Sequence, residues 1–189
     1  MKTEMNHKTV FDKDFKILDS DCEFEYQLEL TKKLDFDTTD FSQSRLNEIV
    51  LWKVNRYADF DEKVIMEINS ISPYQEQIDL SKTRRILKIL LKTKGVQLAM
   101  ASSILRFRNS KIYQIIDQRV YRIIYERKEL KLSSYLSKKN IEIQIELYLR
   151  YLTDLKKVCS DLNIKFEKAD RILFMADKRL NKKYKLKNY

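Results

Sequence analysis

An all-α fold is predicted by three features of the 189-residue chain. It holds one Gly and one Pro, so few positions can break a helix. Leu, Ile, Lys, Glu and Arg dominate its composition, and most of these are good helix formers. Apolar residues recur at i, i+3, i+4 spacing over much of residues 41–182. With 43% hydrophobic and 35% charged residues, the chain belongs with globular proteins rather than disordered ones. It is read as a single domain spanning 1–189.

Residues 23–30 are the least regular. Phe24, Tyr26, Leu28 and Leu30 alternate with Glu23, Glu25, Gln27 and Glu29, which is strand period. A strand without a partner strand elsewhere is implausible, so helix is expected. Asp35, Asp37, Thr38, Thr39 and Asp40 predict a turn rich in capping side chains. Leu46, Ile49, Val50, Val54 and Tyr57 then predict a helix over 41–57, and a short helix follows at 61–69. Pro73 disfavours helix at the residue before it, which with Ser70 and Ser72 makes a loop.

A helix over 81–93 is marked by Ile86, Leu87, Leu90 and Leu91. It stops near Gly95, and a new helix over 96–108 buries Ala101, Ile104 and Leu105. Asn109 and Ser110 end it. Residues 112–116 form a short connection, and Asp117 opens a helix to about 128. Asn140 is expected to cap a long helix to 162, with Ile141, Ile145, Tyr148, Leu149, Leu152 and Leu155 inward. A last helix over 166–182 buries Ala169, Ile172, Leu173, Ala176 and Leu180, and a basic tail runs over 182–189.

Composition excludes several function classes. One Gly cannot build a Walker loop or a dinucleotide fingerprint. His7 is the single histidine, which leaves no Ser-His-Asp or Cys-His constellation. Cys22 and Cys159 stand alone, too few for a zinc site or an iron–sulfur cluster within the chain, and they fit reduced thiols. Residues 1–15 lack the apolar core of a signal peptide. The uncharged stretch 95–105 is too short to span a bilayer. The expectation is a soluble, cytoplasmic protein.

The net charge of +10 is unevenly spread. Residues 1–70 carry 10 Lys/Arg against 16 Asp/Glu, and residues 71–189 carry 28 against 12. Between Lys82 and Arg122 there are 11 basic residues and a single acid, Asp117. A basic run of this kind suits a polyanion, although a solvated lysine-rich face has the same composition. Gly95 sharpens the reading. A residue after a helix end often turns left-handed, which Gly does without Cβ strain. The helix after it then presents free N–H groups and a partial positive charge to a phosphate.

Thr93-Lys94-Gly95-Val96-Gln97-Leu98-Ala99-Met100-Ala101-Ser102-Ser103-Ile104-Leu105, followed by Ile115-Ile116-Asp117-Gln118-Arg119-Val120-Tyr121-Arg122, resembles the helix-hairpin-helix DNA glycosylase superfamily (HhH-GPD) over about 86–125. The resemblance implies a two-lobed helical fold with the hairpin at about 81–108. It implies a reactive site in the cleft between the lobes, where a nucleotide is turned out of the duplex. Asp117 stands where the family's catalytic aspartate lies. Ala99 stands where bifunctional members carry a Schiff-base lysine, so the implied enzyme is monofunctional. Lys94 replaces the usual turn proline and Gln97 the second turn glycine.

On this reading Lys92, Lys94, Gly95, Gln97, Arg108, Arg119 and Arg122 contact DNA. Glu48, Trp52 and Tyr113 line the base pocket, with Lys53, Asn55, Arg56 and Tyr121 as further candidates. The expected partner is double-stranded DNA, engaged by a monomer, with no membrane and no cofactor. Each residue also has a plainer role. Asp117 can be only an N-cap, worth about 1 kcal/mol, and Trp52 and Tyr113 can be core. The whole chain can likewise be an inactive hairpin DNA-binding protein or an all-helical protein-interaction subunit.

Overall fold

The computed structural model describes residues 7–24, 27–54, 60–126, 129–133, 135 and 137–186. Among the described residues it is all-helical: α1 (Leu28–Phe36), α2 (Gln43–Val54), α3 (Glu62–Asn69), α4 (Leu80–Lys92), α5 (Leu98–Arg108), α6 (Gln118–Ile124), α7 (Lys138–Asp161) and α8 (Ala169–Leu180). Short 3-10 turns occupy Asp19–Asp21 and Phe166–Lys168. No helix among the described residues is long and apolar enough to cross a membrane.

Capping chemistry sets most helix starts. Asp61, Asp79 and Ser137 each accept a hydrogen bond from the backbone N–H three residues on, satisfying donors the helix leaves open. Ser137, rather than Asn140, therefore caps α7. The Asn140 amide instead bridges Ser133 Oγ and Tyr135 O. The alternating segment near residue 24 is not helical at Phe24. Helix begins only after Gln27, which takes a left-handed φ of 42°, and Asp35 falls inside α1 rather than in the turn. Asn55, Arg56 and Tyr57 lie outside the described residues.

One continuous apolar core joins α2, α4, α5, α6, α7 and α8. The predicted stripes of α4, α5 and α7 all face it: Ile86, Leu90, Ile104, Ile145 and Tyr148 are completely buried. Two buried tyrosines on α7 also reach the connection before α6. Tyr148 Oη donates to Gln114 O at 2.9 Å and Tyr151 Oη to Ile115 O at 2.7 Å. From the other side, Ile116 N donates to Ser102 Oγ at 3.1 Å. Residues 112–116 are thus a buried strap, several of whose backbone groups are met by side chains, as burial demands. The strap delivers Asp117.

Cations of the basic run find acids both on α7 and in the N-terminal portion. Arg85 pairs with Glu67, Lys88 with Glu142, Arg84 with Glu146, and Lys111 with Glu76. Arg106 and Arg171 both pair with Asp35, tying α1 to α5 and α8. Burial works against the Asp35 charge, yet these two guanidiniums hold its carboxyl below the usual carboxylate range. Arg106 and Arg108 spend their charge inside the fold, while Arg84, Arg85, Lys88 and Lys111 form pairs at the surface.

Between α4 and α5 the chain turns through residues 93–97, and Gly95 takes φ 85°. The left-handed residue lies within the turn, not directly at the helix end, because Thr93 closes α4 in an extended conformation. Left-handed backbone costs a residue with a Cβ roughly 1–2 kcal/mol. Gly95→Ala should lower unfolding free energy by about that amount, measured by urea titration. An unchanged midpoint would show that the turn can relax to negative φ.

Cys22 is exposed, Cys159 is buried, and both are free thiols. Burial pushes the Cys159 thiol up to about 12, which leaves it unreactive at neutral pH.

Candidate active site

Asp117 is the N-cap of α6. Its Oδ1 accepts from Arg119 N at 2.7 Å and Val120 N at 3.4 Å. Oδ2 faces the Lys53 ammonium on α2, 3.7 Å away. Both side chains line a pocket of about 230 Å³ with Phe24, Trp52, Ile115, Val120, Asp170, Arg171 and Phe174. Capping and a site-facing carboxylate coexist because the two oxygens divide the work.

The pocket's aromatic walls are pinned. Trp52 Nε1 donates to Thr31 Oγ1 at 2.7 Å, and its ring meets Phe107 edge-on at 5.1 Å. Phe24 leans on Trp52 at 6.4 Å and meets Phe174 edge-on at 6.1 Å. Arg171, held by Asp35, lies over the Phe24 ring at 5.2 Å. Such fixed rings offer a stacking surface with little ordering cost. Asp170 contributes a second carboxylate to the wall. It is nearly fully buried, with Arg106 Nε 3.6 Å from its Oδ2.

The structure therefore brings Asp117 and Trp52 together with Lys53. Glu48 is not part of the wall. It sits one turn earlier on α2 and accepts from Lys33 Nζ at 2.6 Å. Tyr113 is corrected from pocket to core. It is buried against α4, its hydroxyl shares a 2.7 Å hydrogen bond with Thr83, and burial pushes it up to about 12. Tyr121 also packs inward, against Tyr125 at 4.4 Å.

Two arginines expected at DNA are corrected to structural roles. Arg108 is buried and donates to Ile71 O at 2.6 Å, Asn69 O at 2.9 Å and Thr39 O at 3.2 Å, with Asp40 3.1 Å away. It knits α5 to the loop after α3. Arg122 donates to both carboxylate oxygens of Asp177 at 2.6 and 2.7 Å, and Asp177 is 0% exposed. An inward-facing arginine with a buried carboxylate partner is expensive to remove and useless for phosphate. From sequence, nothing distinguishes it from a surface cation.

Lys92, Lys94, Gly95 and Gln97 all stay exposed on the α4–α5 turn. Lys92 and Lys94 border a shallow depression of about 450 Å³ that also takes in Lys63 and Asp61. No side chain caps the N-terminus of α5 at Gln97, but Leu98 and Met100 in its first turn are buried, so the exposed cations rather than the helix amides are what this turn presents. Arg119 is shared. Its guanidinium reaches Asp177 at 3.1 Å and lies over Phe174 at 5.6 Å. It also borders an open groove of about 850 Å³ with Lys178, Arg179, Lys182 and Lys185. Lys178 Nζ lies 5.9 Å from the Phe174 ring centroid, so this cationic groove adjoins the pocket wall.

Phe24, Phe174, Asp170 and Arg171 were not singled out from sequence. Phe174 carried a signal: it is a large aromatic off the predicted apolar stripe of α8. Among the described residues no group of three or more His, Cys, Asp or Glu is set to hold a metal ion. In comparisons with known proteins, no family model, no curated protein and no solved structure matches the chain.

Proposed function

We propose that this protein is a DNA glycosylase of the helix-hairpin-helix type, with two helical lobes, that hydrolyses the N-glycosidic bond of a damaged or modified base. The observation that carries this reading is Asp117, a carboxylate fixed by two backbone N–H groups in an aromatic-walled pocket. Breaking the bond builds positive charge on the sugar. A carboxylate that needs no reorganisation stabilises that charge, and its free oxygen can take a proton from the attacking water. The pocket's volume of about 230 Å³ is below the roughly 300–1,000 Å³ of drug-sized sites. It suits one planar ring system between Trp52, Phe24 and Phe174.

The α4–α5 turn supplies the duplex grip through Lys92 and Lys94, and the Arg119–Lys178 groove extends it beside the pocket. Ala99 offers no amine on the hairpin, which favours simple hydrolysis at that position.

The test is a panel of labelled duplexes carrying one alkylated, deaminated, oxidised or hypermodified base, scored for abasic sites by alkaline cleavage. One class should be cleaved. In parallel, the Lys92→Glu/Lys94→Glu double variant should weaken duplex binding and flatten its log–log salt slope by about 2. An inert panel, together with duplex binding that ignores salt, would remove the reading.

A further inference from the structure

Lys53 has no role in the chemistry above. It stands beside Asp117 with 16% of its side chain exposed against 22% for the aspartate, and both line the same pocket. At 3.7 Å the pair is ionic but longer than a hydrogen bond, so the ammonium's N–H donors remain available to a ligand. Of the other wall residues Phe24, Trp52, Ile115, Val120 and Phe174 are apolar, Arg171 is already engaged by Asp35, and Asp170 is an acid, so a new negative charge there is poorly solvated.

An uncharged base that leaves with the bonding electron pair becomes an anion and needs a proton. An N-alkylated cationic base leaves neutral and needs none. We propose, building on the glycosylase reading, that Lys53 is the acid that protonates the departing base, and that the substrate is an uncharged modified base rather than a cationic N-alkylpurine. An ammonium carries the proton such a leaving group needs and stands beside the carboxylate that would face the sugar.

The steps close. The C1′–N bond breaks, its electron pair goes to the base nitrogen, and that nitrogen takes a proton from Lys53 Nζ, leaving a neutral amine. Water adds to C1′ and its proton passes to Asp117 Oδ2. That proton then crosses to Lys53, restoring ammonium and carboxylate. The net change is water consumed, base released and a sugar hydroxyl formed.

The experiment measures single-turnover base release by the full chain from duplexes with one uracil, hypoxanthine, 8-oxoguanine or 5-hydroxymethyluracil, and from one with cationic 7-methylguanine. Wild type should act on at least one uncharged base. On that base Lys53→Met should be about 10²-fold slower or worse, with duplex binding kept within threefold. Lys53→Arg keeps the charge but gives up a proton far less readily, so it should not restore the rate. Wild-type release of 7-methylguanine alone overturns the assignment and leaves the glycosylase reading standing. So does an unslowed Lys53→Met, or a wild-type rate from Lys53→Arg. No release of any of these bases by wild type overturns the role of Lys53, and with it, if duplex binding also ignores salt, the glycosylase reading.

Discussion

Asp117→Asn is expected to slow base release by about 10³-fold while duplex affinity stays within a few-fold. The substitution is nearly isosteric, and Asn caps helices about as well as Asp, so the bonds to Arg119 N and Val120 N should persist and α6 should keep its start. What disappears is the negative charge beside the sugar and the basic oxygen facing Lys53. Losing one preorganised electrostatic group typically costs about 10²–10³ in rate, and losing a proton acceptor as well pushes toward the upper end. Single-turnover rates on whichever duplex the wild type cleaves decide the matter. A rate within threefold of wild type would leave Asp117 as a cap and nothing more.

Asp177→Ala is expected to be the most destabilising single change. This carboxylate is 0% exposed and receives Arg122 through two hydrogen bonds, Arg119 at 3.1 Å and the Asn181 amide at 2.8 Å. Truncation strands the buried Arg122 guanidinium, a class of change that costs about 3–5 kcal/mol against total stabilities of roughly 5–15 kcal/mol. With a urea m-value of about 2 kcal/mol/M, the midpoint should fall by roughly 1.5–2.5 M. Because the pair seats α6 on α8, base release should fall with it. A midpoint shift below about 0.3 M would mean that the pair only breaks even, as replaced buried ion pairs sometimes do.

Helices and their stripes were legible because chain composition and 3.6-residue periodicity pointed the same way. Ile86, Leu90, Ile104 and Leu152 face inward as their spacing requires. Asp117 was legible for a similar reason: a capping residue before an apolar run is a local signal. The cations were not. Arg106, Arg108 and Arg122 look alike in sequence to Lys92 and Lys94, and only the return of Asp35, Asp40 and Asp177 to their sides separates buried clamps from open charge. Tyr113 failed in the same way, since its partner Thr83 is 30 residues distant. The pocket's far wall was hidden too. Phe24 and Phe174 come from opposite ends of the chain, and no periodicity links them to Trp52.

The two ends of the chain are also stitched to each other. Asn181 at the end of α8 exchanges hydrogen bonds with the backbone of Lys8, 173 positions earlier, and His7 Nε2 donates to Arg122 O at 2.9 Å. Val10 N reaches Ile123 O at 2.7 Å. This N-terminal stretch is therefore held in two places, by α6 through His7 and Val10 and at the end of α8 through Lys8. Losing α8 and Asn181 would at once unpair Lys8 and Arg122 and strip Asp170, Arg171 and Phe174 from the pocket wall.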